Sequence, residues 1–185
     1  MKRFGLIGHP LGHSLSPVIH RRIMEIAGID GTYTLHDIDP ADIPRVLPEL
    51  LAEHDGLNFT IPHKQAIIPF LRELDASAAA CGAVNTVYQG RGYNTDTEGF
   101  LACGVTLRGR DVLILGAGGS ARMMAAACVA EGARSATLRA RTKSRAEAIV
   151  ADLAARVPEA AGKVRVDDGS AAGPYGTVLN ATPIG

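Results

Sequence analysis

The feature that most constrains the fold is an apolar run that leads directly into a glycine-rich turn. Asp111–Leu115 reads Asp-Val-Leu-Ile-Leu, and an Ala- and Met-rich segment typical of a helix follows the turn. Such a unit opens a dinucleotide-binding fold, because its glycines allow a tight turn and a close approach of pyrophosphate to the helix amides. A tight turn without a ligand is the alternative. The expected cofactor-binding residues are Gly116, Ala117, Gly118, Gly119, Ser120 and Ala121.

The end of the next predicted strand is basic, where an NAD-binding protein commonly carries an acidic residue. Residues 138–145 read Leu-Arg-Ala-Arg-Thr-Lys-Ser-Arg. Guanidinium groups match phosphate in geometry and charge, so this segment favours the 2′-phosphate of NADP. A solvated basic loop is the alternative. We expect Arg141 to contribute far more to the binding of NADPH than to that of NADH.

Strand-like and helix-like segments alternate along the whole chain, which predicts an α/β fold with mainly parallel sheets. We expect an N-terminal substrate domain over residues 1–104. An incomplete Rossmann-type domain is expected over residues 105–185, with about four strands where a full dinucleotide fold has about six. Helices are predicted at Ile43–Glu53, despite Pro48, and at Ile67–Leu71, and a hairpin at Ala83–Tyr88 and Gly92–Asn94.

Composition argues against several classes of partner. Lys plus Arg equals Asp plus Glu at 19 each, so the chain lacks the basic excess that nucleic acids and membrane surfaces usually attract. No apolar stretch approaches the ~20 residues of a membrane helix, and the N-terminal apolar run is too short for a signal peptide. The three cysteines have no metal-ligand or disulfide spacing. We expect a cytoplasmic protein without a metal, as a monomer or homodimer.

Polar segments follow three predicted strands of the first half, where open parallel sheets place their ligands. They are Gly8–Pro17, Asn58–Lys64, and Gly82–Thr86 together with Tyr93–Asp96. Their hydroxyls, amides, one amine and one carboxylate suit a small polyhydroxylated acid.

The same segments resemble the shikimate dehydrogenase family in content and order. The matching motifs are Ser-Leu-Ser-Pro, Asn-x-Thr-x-Pro-His-Lys, Gly-Ala-Val-Asn-Thr, Asn-Thr-Asp, the glycine turn with its Arg-Thr-x-x-Arg loop, and the terminal Asn-Ala-Thr-Pro-Ile-Gly. The resemblance implies that Ser14 and Ser16 bind the substrate carboxylate. It also implies that Thr60, Asn85 and Asp96 bind ring hydroxyls, and that Lys64 and Asp96 are the catalytic pair. Without it, a surface salt bridge between Lys64 and Asp96 would be an equal alternative.

The activity implied is the reversible NADPH-dependent reduction of 3-dehydroshikimate to shikimate, a step of aromatic amino-acid biosynthesis. The resemblance adds Thr142, Arg145 and Thr182 to the cofactor site. Ala140 departs from the family, which commonly has Asn there, and Arg139 is a candidate to compensate.

Three alternatives remain open. Family members continue well past the last motif, so we expect the chain to be a C-terminally truncated enzyme, or else a binding module for shikimate or nucleotide without turnover. A quinate/shikimate dehydrogenase using NAD is disfavoured by the basic segment and by Ser16. Another reductase with a similar cofactor domain, such as a folate- or tRNA-linked one, is disfavoured by the Ser-Leu-Ser and Pro-His-Lys segments.

Overall fold

The computed structural model describes residues 1–167, 169 and 174–182 as two compact units. The first unit comprises Met1–Ala78 and Ala83–Asn94, and the second comprises Ala79–Gly82 and Thr95–Gly185. The expected α/β class with mainly parallel sheets is confirmed. Within the described ranges, no helix has the length and apolar character needed to cross a bilayer.

The first unit is built on six strands: β1 (Lys2–Gly8), β2 (Gly31–Asp37), β3 (Gly56–Phe59), β4 (Glu73–Leu74), β5 (Thr86–Tyr88) and β6 (Arg91–Tyr93). They form one sheet in the order β2-β1-β3-β5-β6-β4. Strands β2, β1 and β3 are parallel, β5 is antiparallel to β3 and β6, and β4 is parallel to β6. The helices are α1 (Ser16–Ala27), α2 (Ile43–Glu53) and α3 (Ala76–Cys81), the last of which continues into the second unit.

Most sequence predictions for this unit are confirmed, including helix α2 with Pro48 inside it. This helix tolerates Pro48 because Ile43 and Leu47 are buried and hold it against the sheet. Three details differ from the predictions. The helix expected at Ile67–Leu71 is wrong, since a single 3₁₀ turn forms there over Ile68–Phe70. The predicted hairpin is shorter than expected, and strand β4 was not predicted.

The core of this unit lies between the sheet and α2. Strand residues of β1, β3 and β5 alternate into it, which is why their neighbours are left available for polar roles. Its buried members are Ile7, Ile43, Leu47, Leu57, Phe59, Ile67, Ala78, Val84 and Val87.

The described residues of the second unit form strands β7 (Asp111–Leu115), β8 (Ser135–Arg139), β9 (Val164–Val166) and β10 (Thr177–Asn180), and helices α4 (Asp96–Ala102), α5 (Gly119–Ala130) and α6 (Lys143–Arg156). The strands make a parallel sheet in the order β10-β7-β8-β9. Helices α5 and α6 are joined by an ion pair between the nearly buried Arg122 and the partly exposed Asp152.

Helix α4 belongs to the second unit because it packs on α5. The sequence therefore passes from the first unit to the second between Asn94 and Thr95, ten residues before the boundary expected after residue 104. A boundary of independent folding after residue 104 stays a prediction.

Candidate active site

The ends of β1 and β3 lie against each other in the first unit. The amide of Thr60 donates to the carbonyl oxygen of Ile7 over 2.9 Å. A Cβ added at Gly8 would lie 2.5 Å from Cγ2 of Thr60 and 2.6 Å from Cδ2 of Leu11, so a larger residue here would force one of these side chains to shift. This close approach brings Thr60 beside the loop that carries Ser14 and Ser16.

Asp37 holds that loop in place. Its carboxylate accepts the amide of Leu11 at 2.9 Å and contacts Nδ1 of His9 at 2.7 Å. The Leu11 amide first, and then the His9 ring, hold the pKa of Asp37 below its ordinary value. Asp37 was not among the site residues predicted from the sequence, although its place at the end of β2 could have identified it.

The serine loop closes on itself. The amide of Ser14 donates to the carbonyl oxygen of Leu11 at 3.0 Å, and the amide of Ser16 donates to Oγ of Ser14 at 3.3 Å. Because Ser14 Oγ accepts from the backbone, its hydroxyl proton is oriented away from that amide. The Ser14 hydroxyl, oriented in this way, can donate to an anion such as a carboxylate.

Lys64 and Asn85 are positioned by backbone bonds on the other side of β3. The amide of Val84 donates to the carbonyl oxygen of Lys64 at 2.7 Å, and the amide of Phe59 donates to that of Asn85 at 2.8 Å. The Lys64 turn is anchored by the fully buried His63, whose Nε2 contacts the carbonyl oxygen of Ile38 at 2.8 Å. Five of the six predicted substrate-site residues therefore lie at the end of the sheet where β1 and β3 finish. They are Ser14, Ser16, Thr60, Lys64 and Asn85.

The sixth residue, Asp96, lies in the second unit as the first residue of α4. Just before it, Asn94 is 2% exposed and donates through Nδ2 to the carbonyl oxygen of Ala83 at 3.0 Å. This buried amide fixes the chain where α4 is about to begin. The pairing of Lys64 with Asp96 stays a prediction.

The glycine turn of the second unit has the strand, turn and helix expected from the sequence. The amide of Gly116 donates to the carbonyl oxygen of Arg139 at 2.8 Å. Helix α5 starts at Gly119 without a side-chain cap, so the first-turn amides can face an anion. A Cβ added at Gly118 or Gly119 would meet no atom within 4 Å, which leaves room for a pyrophosphate at Gly116–Ala121.

The basic segment divides into paired and unpaired cations. Arg139 forms an ion pair with Asp167, and its role in compensating for the Asn expected at Ala140 stays a prediction. Arg141, Thr142 and Arg145 are exposed around the start of α6. Over the described ranges, neither Arg141 nor Arg145 forms an ion pair, which suits both to a phosphate.

Thr182 lies in a closed turn after β10. Its amide and its hydroxyl both donate to Oδ1 of Asn180, at 3.0 and 2.7 Å. Asn180 is the register partner of Leu115, so the turn is adjacent to Gly116. The last part of the terminal motif, residues 183–185, lies outside the described residues. Within the described part of the chain, no cluster of three or more His, Cys, Asp or Glu could hold a metal ion.

Sequence and structure comparisons agree on one family. The family model described as the shikimate dehydrogenase substrate binding domain matches residues 6–87. A shikimate dehydrogenase (NADP(+)) of Nitrosopumilus maritimus is 36% identical over 194 residues, which cover 100% of this chain and 71% of the relative. One of Shouchella clausii is 47% identical over 132 residues, 65% of this chain and 48% of the relative. The chain thus spans about half to two thirds of the first curated relatives it matches.

Two solved structures are informative for substrate and cofactor. A shikimate 5-dehydrogenase from Thermus thermophilus, in complex with NADP(H) and shikimate, is 35% identical with a TM-score of 0.82, and covers 98% of this chain and 69% of that one. A ligand-free 5-ketofructose reductase of Gluconobacter is 34% identical with a TM-score of 0.81, and covers 100% and 70%. Both structures match across both units of the chain.

Proposed function

The chain belongs to the shikimate dehydrogenase family, and we propose that it catalyses the reversible NADPH-dependent reduction of 3-dehydroshikimate to shikimate. The proposal rests on one observation: two serines, a threonine, a lysine and an asparagine lie at the same end of the sheet in the first unit. Backbone hydrogen bonds to Ile7, Phe59 and Val84 hold Thr60, Asn85 and Lys64, and the serine loop is held through Leu11. The set suits a small acid with several hydroxyls.

Each side chain has a role in this proposal. Ser14 and Ser16 donate to the substrate carboxylate, while Thr60 and Asn85 hold ring hydroxyls. As the carbonyl carbon is reduced, negative charge grows on its oxygen, and the Lys64 ammonium stabilises that charge and donates the proton. Asp96 acts with Lys64 as the second catalytic residue.

The second unit would hold the cofactor. NADPH, when bound, supplies the hydride. Gly116–Ala121 offers helix amides and open space to the pyrophosphate, and Arg141, Thr142 and Arg145 offer two cations and a hydroxyl to the 2′-phosphate. Thr182 lies in the turn after β10, next to Gly116. The reaction is expected in the cytoplasm.

The test is NADPH oxidation followed at 340 nm with 3-dehydroshikimate, in the wild-type chain and in Lys64→Ala and Asp96→Asn. We expect loss of at least 100-fold in each variant, the usual scale for a general acid–base residue. Lys163→Ala is the matched control, because Lys163 is exposed and lies before β9, outside the site. Equal rates in Lys64→Ala and wild type would refute the proposed mechanism.

A second function has a specific observation behind it. The 5-ketofructose reductase shares the fold of both units, so 5-ketofructose belongs in the same assay as a competing substrate. Because the chain spans only part of its relatives, calorimetric binding of shikimate and NADPH is measured alongside turnover. Binding of both without NADPH oxidation would identify a binding module. Preference for quinate with NAD would identify the other family activity.

A further inference from the structure

A chain of side-chain hydrogen bonds crosses the sheet of the first unit and ends at Asn85. The Tyr33 hydroxyl on β2 donates to Oδ1 of Asn58 on β3 at 2.8 Å. Nδ2 of Asn58 donates to Oγ1 of Thr86 at 3.1 Å, and the Thr86 hydroxyl donates to Oδ1 of Asn85 at 3.0 Å. Asn58 and Thr86 are direct register partners across β3 and β5. The register of the sheet therefore sets the spacing of these side-chain hydrogen bonds.

Each bond in this chain fixes the direction of the next. The Tyr33 hydroxyl proton needs an acceptor, and it takes the oxygen of the Asn58 amide, so the amide nitrogen is turned toward Thr86. The Thr86 oxygen then accepts, and its own proton is directed to Oδ1 of Asn85. The oxygen of the Asn85 amide is thereby engaged, and Nδ2 is its donating end.

Tyr33 itself is firmly held. The His20 ring stacks on it with centroids 4.0 Å apart and planes 16° from parallel. Nδ1 of His20 contacts the carbonyl oxygen of Ser16 at 2.9 Å, which ties the ring to the start of α1. Burial raises the pKa of Tyr33 to about 12, so its hydroxyl stays protonated at neutral pH. Tyr33 therefore remains a donor under ordinary conditions.

We propose that Tyr33 and Thr86 are positioning residues that fix the amide of Asn85 with its nitrogen as the donor to a substrate hydroxyl. The proposal rests on the proposed function, in which Asn85 binds a ring hydroxyl. If the amide flipped, the hydroxyl would meet an acceptor instead and would have to rearrange its own hydrogen bonds. Tyr33 on β2 acts on Asn85, next to β5, through Asn58 and Thr86.

The test compares shikimate binding by calorimetry in wild type, Thr86→Ser, Thr86→Val and Tyr33→Phe. Thr86→Val keeps the shape but loses the hydroxyl, whereas Thr86→Ser keeps the hydroxyl. We expect Thr86→Val and Tyr33→Phe to weaken binding about five- to tenfold, the scale of one neutral hydrogen bond, and Thr86→Ser to stay within about twofold. Both residues act through the same series of hydrogen bonds. The Tyr33→Phe/Thr86→Val double variant should therefore bind shikimate no more weakly than the weaker-binding single variant.

Two further readouts separate positioning from loss of structure. At saturating substrate, kcat should be unchanged while KM follows the binding loss. The side-chain amide signals of Asn85 in a ¹⁵N correlation spectrum should move in Tyr33→Phe and Thr86→Val but not in Thr86→Ser, and this needs no ligand. Asn85 signals unmoved in Tyr33→Phe, or additive losses in the double variant, would overturn the proposal. Absence of shikimate binding by wild type would instead count against the proposed function, and the Asn85 spectrum would still decide the positioning role.

Discussion

A Cβ added at Gly116 would lie 2.8 Å from the carbonyl oxygen of Ala181. Gly116 also has a φ of 118°, a backbone conformation that L side chains rarely adopt. Gly116→Ala should therefore destabilise the second unit by about 1–3 kcal/mol from backbone strain alone, with the steric clash in addition. Chemical denaturation of wild type and variant measures this loss.

Gly118→Ala is the matched control for that experiment. Its φ is −102°, and an added Cβ meets no atom within 4 Å, so folding stability should change little. The methyl group would nevertheless occupy space in front of α5 where a pyrophosphate is expected. We predict weaker NADPH binding at nearly wild-type stability. Gly118→Ala with unchanged NADPH affinity would refute the assignment of this turn to the pyrophosphate.

Arg141 provides the test of cofactor choice. Arg141→Ala should raise KM for NADPH roughly ten- to a hundredfold and leave KM for NADH nearly unchanged, because a charged hydrogen bond to the 2′-phosphate is worth about 1.5–3 kcal/mol. Arg134→Ala is the control, since this exposed arginine pairs with Asp111 at the opposite end of β8. Equal effects of Arg141→Ala on both cofactors would contradict recognition of the 2′-phosphate.

Asp37 is predicted to support substrate binding through the serine loop. Asp37→Ala removes the acceptor of the Leu11 amide, so shikimate affinity should fall several-fold, while Asp30→Ala, at an exposed site away from the loop, should not affect it. The pKa of Asp37 is lowered in the folded chain, so its stabilising contribution is present above about pH 4, near the ordinary value, and is lost as pH falls through the lowered pKa. The stability difference between wild type and Asp37→Ala should disappear at that acid end. A pH-independent difference would contradict this linkage.

The cysteines are predicted to differ sharply in reactivity. Cys103 is exposed, whereas Cys81 and Cys128 are buried, and burial raises the pKa of the Cys128 thiol to about 12. Because the thiolate is the reactive form, a disulfide reagent should modify about one thiol per folded chain and all three after denaturation. Cys103→Ser should leave the folded chain unreactive. Rapid modification of folded Cys103→Ser would show that the buried thiols are accessible.

The sequence determined the class of fold and most of its elements, because these depend on local patterns. Helix α2 follows from its apolar periodicity even with Pro48 inside, and β7 with its glycine turn follows from five residues and the turn after them. The ordered motifs also indicated the family, and they predicted six substrate-site residues, five of which lie at one end of the sheet of the first unit. Positions within such motifs are informative because each one corresponds to a defined location near the end of a strand.

Only the tertiary structure decided which partners these residues have. Arg139 forms an ion pair with Asp167, 28 residues along the chain. Asp37 and Tyr33 act across 26 and 25 residues, on Leu11 and Asn58. Such pairings depend on strand order and register, which no local pattern specifies. Hydrogen bonds are short and directional, so the positioning of the site is settled by the folded sheet rather than by the motifs themselves.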